Sequence, residues 1–298
     1  MSLGCLLLIT IVSYNVENLF HPAHDSVAGE PKEDLEWTPE GERRWSYTRY
    51  YRKEENIARV LTNIGQWDGV DLVGLQEVEN ALVLKRLCYT LPRGVYDFVH
   101  YESPDKRGID VALLYKKSRV DTLRSERIKV KGERDGEQLI TRDILYVCAR
   151  VDERDTIHVF VCHLPSQRGG AAESEWKRET AKQVLERAID SVYIVDPQAK
   201  IIVMGDMNSD EFRISGLVDE RMNGKGTHKY QGRWTQLDHF YVSPSLDSVS
   251  KAEVYDAEWI QETDEKYLGL KPKRTYNGFR YQNGYSDHLP IILNIYDY

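Results

Sequence analysis

Five apolar runs in this 298-residue chain adjoin side chains that can hold a cation or move a proton. Residues 9–12 lead into Ser13-Tyr14-Asn15-Val16-Glu17-Asn18, and residues 70–75 into Gln76-Glu77-Val78-Glu79-Asn80. Residues 159–162 lead into His163-Leu164-Pro165-Ser166, residues 201–204 into Gly205-Asp206-Met207-Asn208-Ser209, and Ser286-Asp287-His288 precedes the last run. Carboxylates, amide oxygens and imidazoles with no thiolate among them suit a hard dication, Mg²⁺ or Mn²⁺, ahead of zinc. A carboxylate near a histidine also suits general acid–base work. Each segment alone has a plainer explanation. Asn15 reads as a turn residue capping its own backbone, Glu77 as an acid in the first turn of a helix, and His163 as a satisfied core histidine. Their recurrence at five strand ends favours one convergent site, because loops at the ends of a layered α/β sheet are brought together by rigid strands.

The elements that would carry these residues are legible as hydrophobic periodicity. Strand-length apolar runs fall at 6–14, 70–75, 109–115, 144–151, 157–162, 201–204, 237–242 and 289–295. In 49–64 the set Ile57, Val60, Leu61 and Ile64 follows one helical face, and a second helical segment runs from about 172 to 195, with Pro197 beyond its end. Strands and helices mixed along the whole length indicate an α/β layered domain. With no linker, repeat or low-complexity segment, 1–298 reads as one domain. The polar stretch at about 21–47 reads as a long surface excursion. Trp37, Trp45, Tyr47, Tyr50 and Tyr51 lie on or beside it with Arg43, Arg44, Arg49 and Arg52 interleaved. Such a mix could stack bases, but aromatics anchoring a loop to the sheet edge is the preferred reading. Arg142 and Asp143, at the start of the 144–151 run, read as a structural pair.

Composition narrows the partners. Lys and Arg number 40 against 48 Asp and Glu, a net charge of −8, which opposes a broad basic face for nucleic acid but leaves phosphate binding at a metal open. No apolar stretch reaches the roughly 18 residues of a membrane span. Cys5, Cys88, Cys148 and Cys162 show no paired spacing, so a zinc knuckle or disulfide framework is not expected. Residues 6–12 read as a buried strand, since no basic residue precedes them and no cleavage site follows. The Met1-Ser2-Leu3 start has an appended look, which leaves a targeting segment and the compartment open.

The segments SYNVENLF (13–20), GLQEVEN (74–80), HLPS (163–166), GDMNSD (205–210), LDHFYVS (237–243) and SDHLP (286–290) together resemble the endonuclease/exonuclease/phosphatase superfamily, in the family's order and over nearly the whole chain. TPEGERRW (38–45) and HLPSQRGG (163–170) are similar to a bacterial branch of it. The resemblance implies a four-layer α/β sandwich, two mixed β-sheets packed face to face with helices on the outside. It also implies hydrolysis of a phosphoester by in-line attack of water, assisted by Mg²⁺ or Mn²⁺. On it, Asn15, Glu77 and Asp287 match metal-site positions. Asp206 matches the acid that orients and deprotonates the water, and Asn208 its neutral partner. His288 matches the histidine against the scissile phosphate, with Asp238 fixing its tautomer, and His163 a second donor to the phosphate. Arg107 and Asp110 match the mouth of the site, and Arg168 lies close enough to HLPSQ to reach a phosphate. His239 stands where an aromatic is usual and receives no role. The substrate implied first is nucleic acid. A small-molecule or lipid phosphoester is the alternative, and a silent binding protein on the same scaffold is the reading from another class. Oligomeric state is left open.

Overall fold

The computed structural model describes residues 8–23, 35–166, 171–220, 222, 224 and 226–296. Period-two alternation builds its sheets. In β1 (Leu8–Leu19), Ile9 and Ile11 enter one core while Val12, Tyr14 and Val16 enter another, so the strand is buried on both faces. The other strands of the two large sheets are β2 (Leu72–Val78), β3 (Tyr96–His100), β4 (Asp110–Lys116), β5 (Val120–Ile128), β6 (Ile144–Val151) and β7 (Asp155–His163). After them come β8 (Lys200–Asp206), β9 (Val218–Asp219), β10 (Asp238–Val242), β11 (Ser250–Val254) and β12 (Ile291–Tyr296). One six-stranded sheet has the order β11-β12-β1-β2-β4-β3 and the other β9-β10-β8-β7-β6-β5. Both follow one pairing scheme: the third and fourth strands, β1 with β2 and β8 with β7, are parallel, and every other neighbouring pair is antiparallel.

Three apolar clusters separate four layers. Between the sheets lie Ile11, Leu72, Leu113, Val147, Val161, Met204, Phe240 and Leu293. Outside the first sheet, Tyr14, Val73 and Leu75 pack on Ile57, Val60 and Leu61 of α1 (Tyr47–Gly65) and Val83 and Leu87 of α2 (Ala81–Thr90). Outside the second, Phe160, Ile201 and Val203 pack on Leu185 and Ile189 of α3 (Ala171–Val195). The expected sandwich is the observed one. No helix among the described residues is long and apolar enough to cross a membrane.

The expected elements differ from the observed ones at their edges. Strands β7 and β8 run one or two residues further into polar sequence than their apolar runs suggest, because paired backbone rather than side-chain hydropathy ends them. Helix α2, absent from the periodicity reading, is only ten residues long and is started by Asn80, whose side chain accepts from the amides of Leu82 and Val83. Of the 21–47 excursion, residues 24–34 lie outside the described ones. Past them, Trp37 and Trp45 are buried and Trp45 Nε1 donates to the Phe20 carbonyl at 2.8 Å, so indoles pin this part inward.

Gly205 is the tightest point of the second sheet. Its φ is 139°, and a Cβ there would lie 1.9 Å from the Cys162 carbonyl oxygen on the neighbouring parallel strand. Any side chain must push β7 and β8 apart one residue before Asp206. Gly205→Ala is therefore expected to destabilise the fold by about 3 kcal/mol or more, read as a lower urea midpoint; a midpoint equal to that of the parent chain would reject the argument.

Candidate active site

Strand parity delivers the polar cluster. Asn15 continues the inward series Ile9, Ile11 of β1, His163 the series Val159, Val161 of β7, and Asp206 the series Ile202, Met204 of β8, while Asp238 opens the series Phe240, Val242 of β10. All four therefore emerge where the inter-sheet core stops, and all four are buried. Two bulges aim the rest. Glu17 and Asn18 have φ of 52° and 56° where the β1–β2 register slips, and Glu77 has φ of 64° where the β2–β4 register slips. Positive φ at such residues is strained, and strain of this kind gathers at functional sites.

Three nitrogen atoms surround one carboxylate oxygen. Asn15 Nδ2 donates to Asp206 Oδ2 at 3.1 Å, His163 Nε2 lies 3.7 Å from that oxygen, and His288 Nε2 lies 3.8 Å from it. The second oxygen of Asp206 accepts the Asn208 amide at 2.8 Å, and Asn208 Nδ2 donates to the Leu164 carbonyl. His288 Nδ1 is 2.8 Å from Asp238 Oδ2, and its amide donates to Ser286 Oγ, which in turn donates to the Asn15 carbonyl. His163 Nε2 also faces Glu77 Oε1 at 3.9 Å, so Glu77 and Asp206 share one cleft. Glu77 Oε2 accepts the Asn18 amide, and Arg107 Nη2 donates to Asn18 Oδ1 at 2.6 Å and lies 3.5 Å from Glu77 Oε1.

Asp287 enters from the other side. Its Oδ2 accepts from Arg274 Nη2 at 2.7 Å, and Arg274 Nε reaches Glu17 Oε1 at 3.3 Å. Glu17 is further held by the Thr275 amide and by Lys53 Nζ at 4.0 Å, and Lys53 donates to Thr275 Oγ1 and the Tyr285 carbonyl.

Burial and charge sort the protonation states. Burial pushes Asp206 up to about 7, with Asp238 adding to the rise and His288 opposing it. Burial by itself would lower His288, but Asp238 and Asp206 lift it well above the ordinary histidine value, so it carries a proton at neutral pH. His163 is driven well below that value by burial and by Arg142, and is neutral. Although burial would raise it, Asp287 is held below the ordinary carboxylate range by Arg274 and His288. His228, whose ring lies 4.9 Å from the His288 ring, is drawn down to about 4 by burial and is also neutral.

The raised His288 has a stability signature. Its folded pKa exceeds the unfolded value, so the stabilisation is complete below about pH 6.5 and is lost as pH rises through the folded value. Asp238→Asn should remove most of it. The stability gap between parent and variant is expected to be widest near pH 6 and to close on going alkaline, as measured by chemical unfolding across pH. A gap that widens with pH would contradict the pairing.

Several expected partners fall elsewhere. Arg142 and Asp143 do not pair with each other: Arg142 binds Asp105 at 2.9 Å and donates to the carbonyls of His163 and Leu164, and Asp143 accepts the Val130 amide and faces Arg127. Arg142 thereby fixes the His163 backbone. Asp110, matched to the mouth of the site, has its Oδ2 3.1 Å from His100 Nε2 and its Oδ1 accepting the Ser103 amide. Arg168 lies outside the described residues. His239 Nε2 is 3.0 Å from the carbonyls of Ser209 and Gln236.

Carboxylate and amide oxygens are the donor types a hard divalent ion takes. Asp206, Asp238 and His288 bring ligand atoms within 4.8 Å of one another, but their side chains are at most 8% exposed and are engaged with each other. Glu77 and Asp287, at 12% and 22% exposed, are more open to solvent and offer carboxylate oxygens, and Asn15 adds Oδ1, which also accepts the Glu17 amide at 3.0 Å.

The chain belongs to the endonuclease/exonuclease/phosphatase family, whose model matches residues 10–220 and 213–297. Among solved structures it is similar to an endonuclease/exonuclease/phosphatase family protein of Bacteroides thetaiotaomicron, at 17% identity over 98% of both chains and a TM-score of 0.63. It is also similar to a mannosyl-6-phosphatase of that organism, at 17% identity over 97% of this chain and 100% of the other, TM-score 0.61. A third likeness is to TDP2 of Caenorhabditis elegans, at 15% identity over 98% of this chain and 76% of the other, TM-score 0.63. At these identities the likenesses speak to the fold. No curated protein matches the chain in sequence.

Proposed function

We propose that this protein is a divalent-metal-dependent phosphoesterase that hydrolyses a phosphoester by in-line attack of water. The observation that carries the reading is the Asp206 carboxylate, raised toward neutrality and ringed by Asn15, His163 and His288. Such a carboxylate is poised to take a proton from water near pH 7. Asn208, fixed on Leu164 and bonded through its amide to Asp206, holds that carboxylate in orientation. The protonated His288, aligned by Asp238, donates from Nε2 to a phosphoryl oxygen, and neutral His163 offers a second donor. Glu77, Asn15 and Asp287 would hold Mg²⁺ or Mn²⁺, which when bound polarises the phosphoryl group and offsets its charge. Arg107 stands at the mouth as a substrate contact.

Nucleic acid is the substrate class expected from the family. A small phosphoester is the second reading, favoured by the pairing of both Arg107 and Arg274 with carboxylates, which leaves little free arginine charge beside the cleft among the described residues. Turnover of bis(p-nitrophenyl) phosphate, p-nitrophenyl phosphate and plasmid DNA with Mg²⁺ or Mn²⁺ tests both. Metal-dependent hydrolysis lost on chelation, and lost in His288→Ala, is expected. Hydrolysis indifferent to chelator and to the variant would sink the proposal, and which substrate turns over fastest decides between the two readings.

A further inference from the structure

We propose that Arg274 is a tethered cation that competes with the metal for Asp287 and thereby sets the affinity of the site for it. The inference rests on Asp287 being one of the metal-binding residues. Lys53 and Arg274 both contact Glu17, and the geometry gives them different freedom. Lys53 is 1% exposed and locked by Thr275 and the Tyr285 carbonyl, so it is a permanent neighbour of Glu17. Arg274 is 41% exposed and bridges two carboxylates with two different nitrogen atoms. Its Nε end rests on Glu17, which the Thr275 amide and Lys53 keep in place, while only Nη2 reaches Asp287.

A guanidinium held through Nε on a side chain that is 41% exposed can release Asp287 by a small rotation and keep its bond to Glu17. Released, it remains at the edge of the cleft, where the planar fork suits a phosphate oxygen. With Asp287 engaged, the same charge opposes an incoming dication. A metal must therefore displace Arg274 from Asp287, and its apparent affinity is reduced by the stability of that ion pair.

Calorimetric titration of Mn²⁺ into the whole chain tests this with no substrate present. Arg274→Gln, which keeps a hydrogen-bonding side chain without the charge, is expected to bind Mn²⁺ about tenfold more tightly. Arg274→Lys, which keeps the charge, is expected to stay within about threefold of the parent. A Gln variant that binds Mn²⁺ with unchanged or weaker affinity overturns the proposal, since a purely structural arginine would loosen the site when removed. If that variant does not fold, nitrogen-15 arginine spectra of the parent chain decide: the Arg274 guanidinium signals must shift on titration with Mg²⁺, and signals that stay fixed at saturation overturn the proposal. A parent chain that turns over substrate without binding any Mn²⁺ would instead overturn the metal reading itself, and this inference with it.

Discussion

Asp206→Asn is expected to lower kcat by about 10²–10⁴-fold while leaving the chain folded and, at alkaline pH, more heat-resistant than its parent. The residue is 2% exposed, and burial raises its carboxyl to about 7. For an acid whose folded pKa lies above its unfolded value near 3.9, the folded state binds the proton more tightly, so its contribution to stability declines as pH rises from about 4 through about 7. Asparagine has no such decline and keeps the side-chain volume, although its single amide oxygen can accept from Asn15 Nδ2 or from the Asn208 amide and not from both. Thermal unfolding at pH 5 and at pH 8 should show the difference moving in the variant's favour with pH. Kinetics on a chromogenic phosphodiester supply the other half, and a variant retaining more than a tenth of parental kcat would remove Asp206 from the role of base.

Lys53→Met is expected to be the most damaging substitution for stability, at about 3–5 kcal/mol. It removes a charge that is 1% exposed, leaves the Tyr285 carbonyl without its lysine donor, and leaves Glu17 dependent on Arg274 and Thr275. Burial already draws Lys53 down to about 8, against the pull of Glu17 and Asp287, so the ammonium is held at a cost that only its partners justify. Removing one member of a buried pair costs far more than replacing both by apolar groups. Urea unfolding would show it, and a loss under about 1 kcal/mol would mean the pair contributes little. Thr275 and Tyr285 lie in the segment that leads to Asp287 and His288, so activity should fall as well.

What was legible in the sequence was the set of strand ends, because an apolar run that stops at Asn, His or Asp marks both the strand and its terminal residue. The inward parity of Asn15, His163, Asp206 and Asp238 follows from counting in twos along those runs. The bulges were not legible, since a register slip at Glu17 or Glu77 depends on how each strand pairs with its neighbour in the folded sheet. Arg274 had no signal either: it lies 13 positions before Asp287, in a segment without periodicity, and only the folded loop brings the two together. Lys53 did carry one. It stands four residues before Ile57 and so extends the helical stripe of Ile57, Val60, Leu61 and Ile64 by one turn, and a lysine on an apolar stripe implies a buried acid to meet it. Arg142 and Asp143, adjacent in sequence, read as a pair by proximity alone, whereas successive residues entering a strand point to opposite sides and find different partners.

The two sheets share one pairing scheme and no strand, yet the bond from Asn15 Nδ2 to Asp206 Oδ2 runs from one to the other. Nothing covalent near the cleft sets that span; it is set by the thickness of the apolar filling between the sheets, from Ile11 and Leu72 on one side to Met204 and Phe240 on the other. A displacement of about 1 Å in a reacting geometry can cost on the order of 10² in rate. On the proposed reading, turnover would therefore act as a strain gauge mounted across the seam between the two sheets.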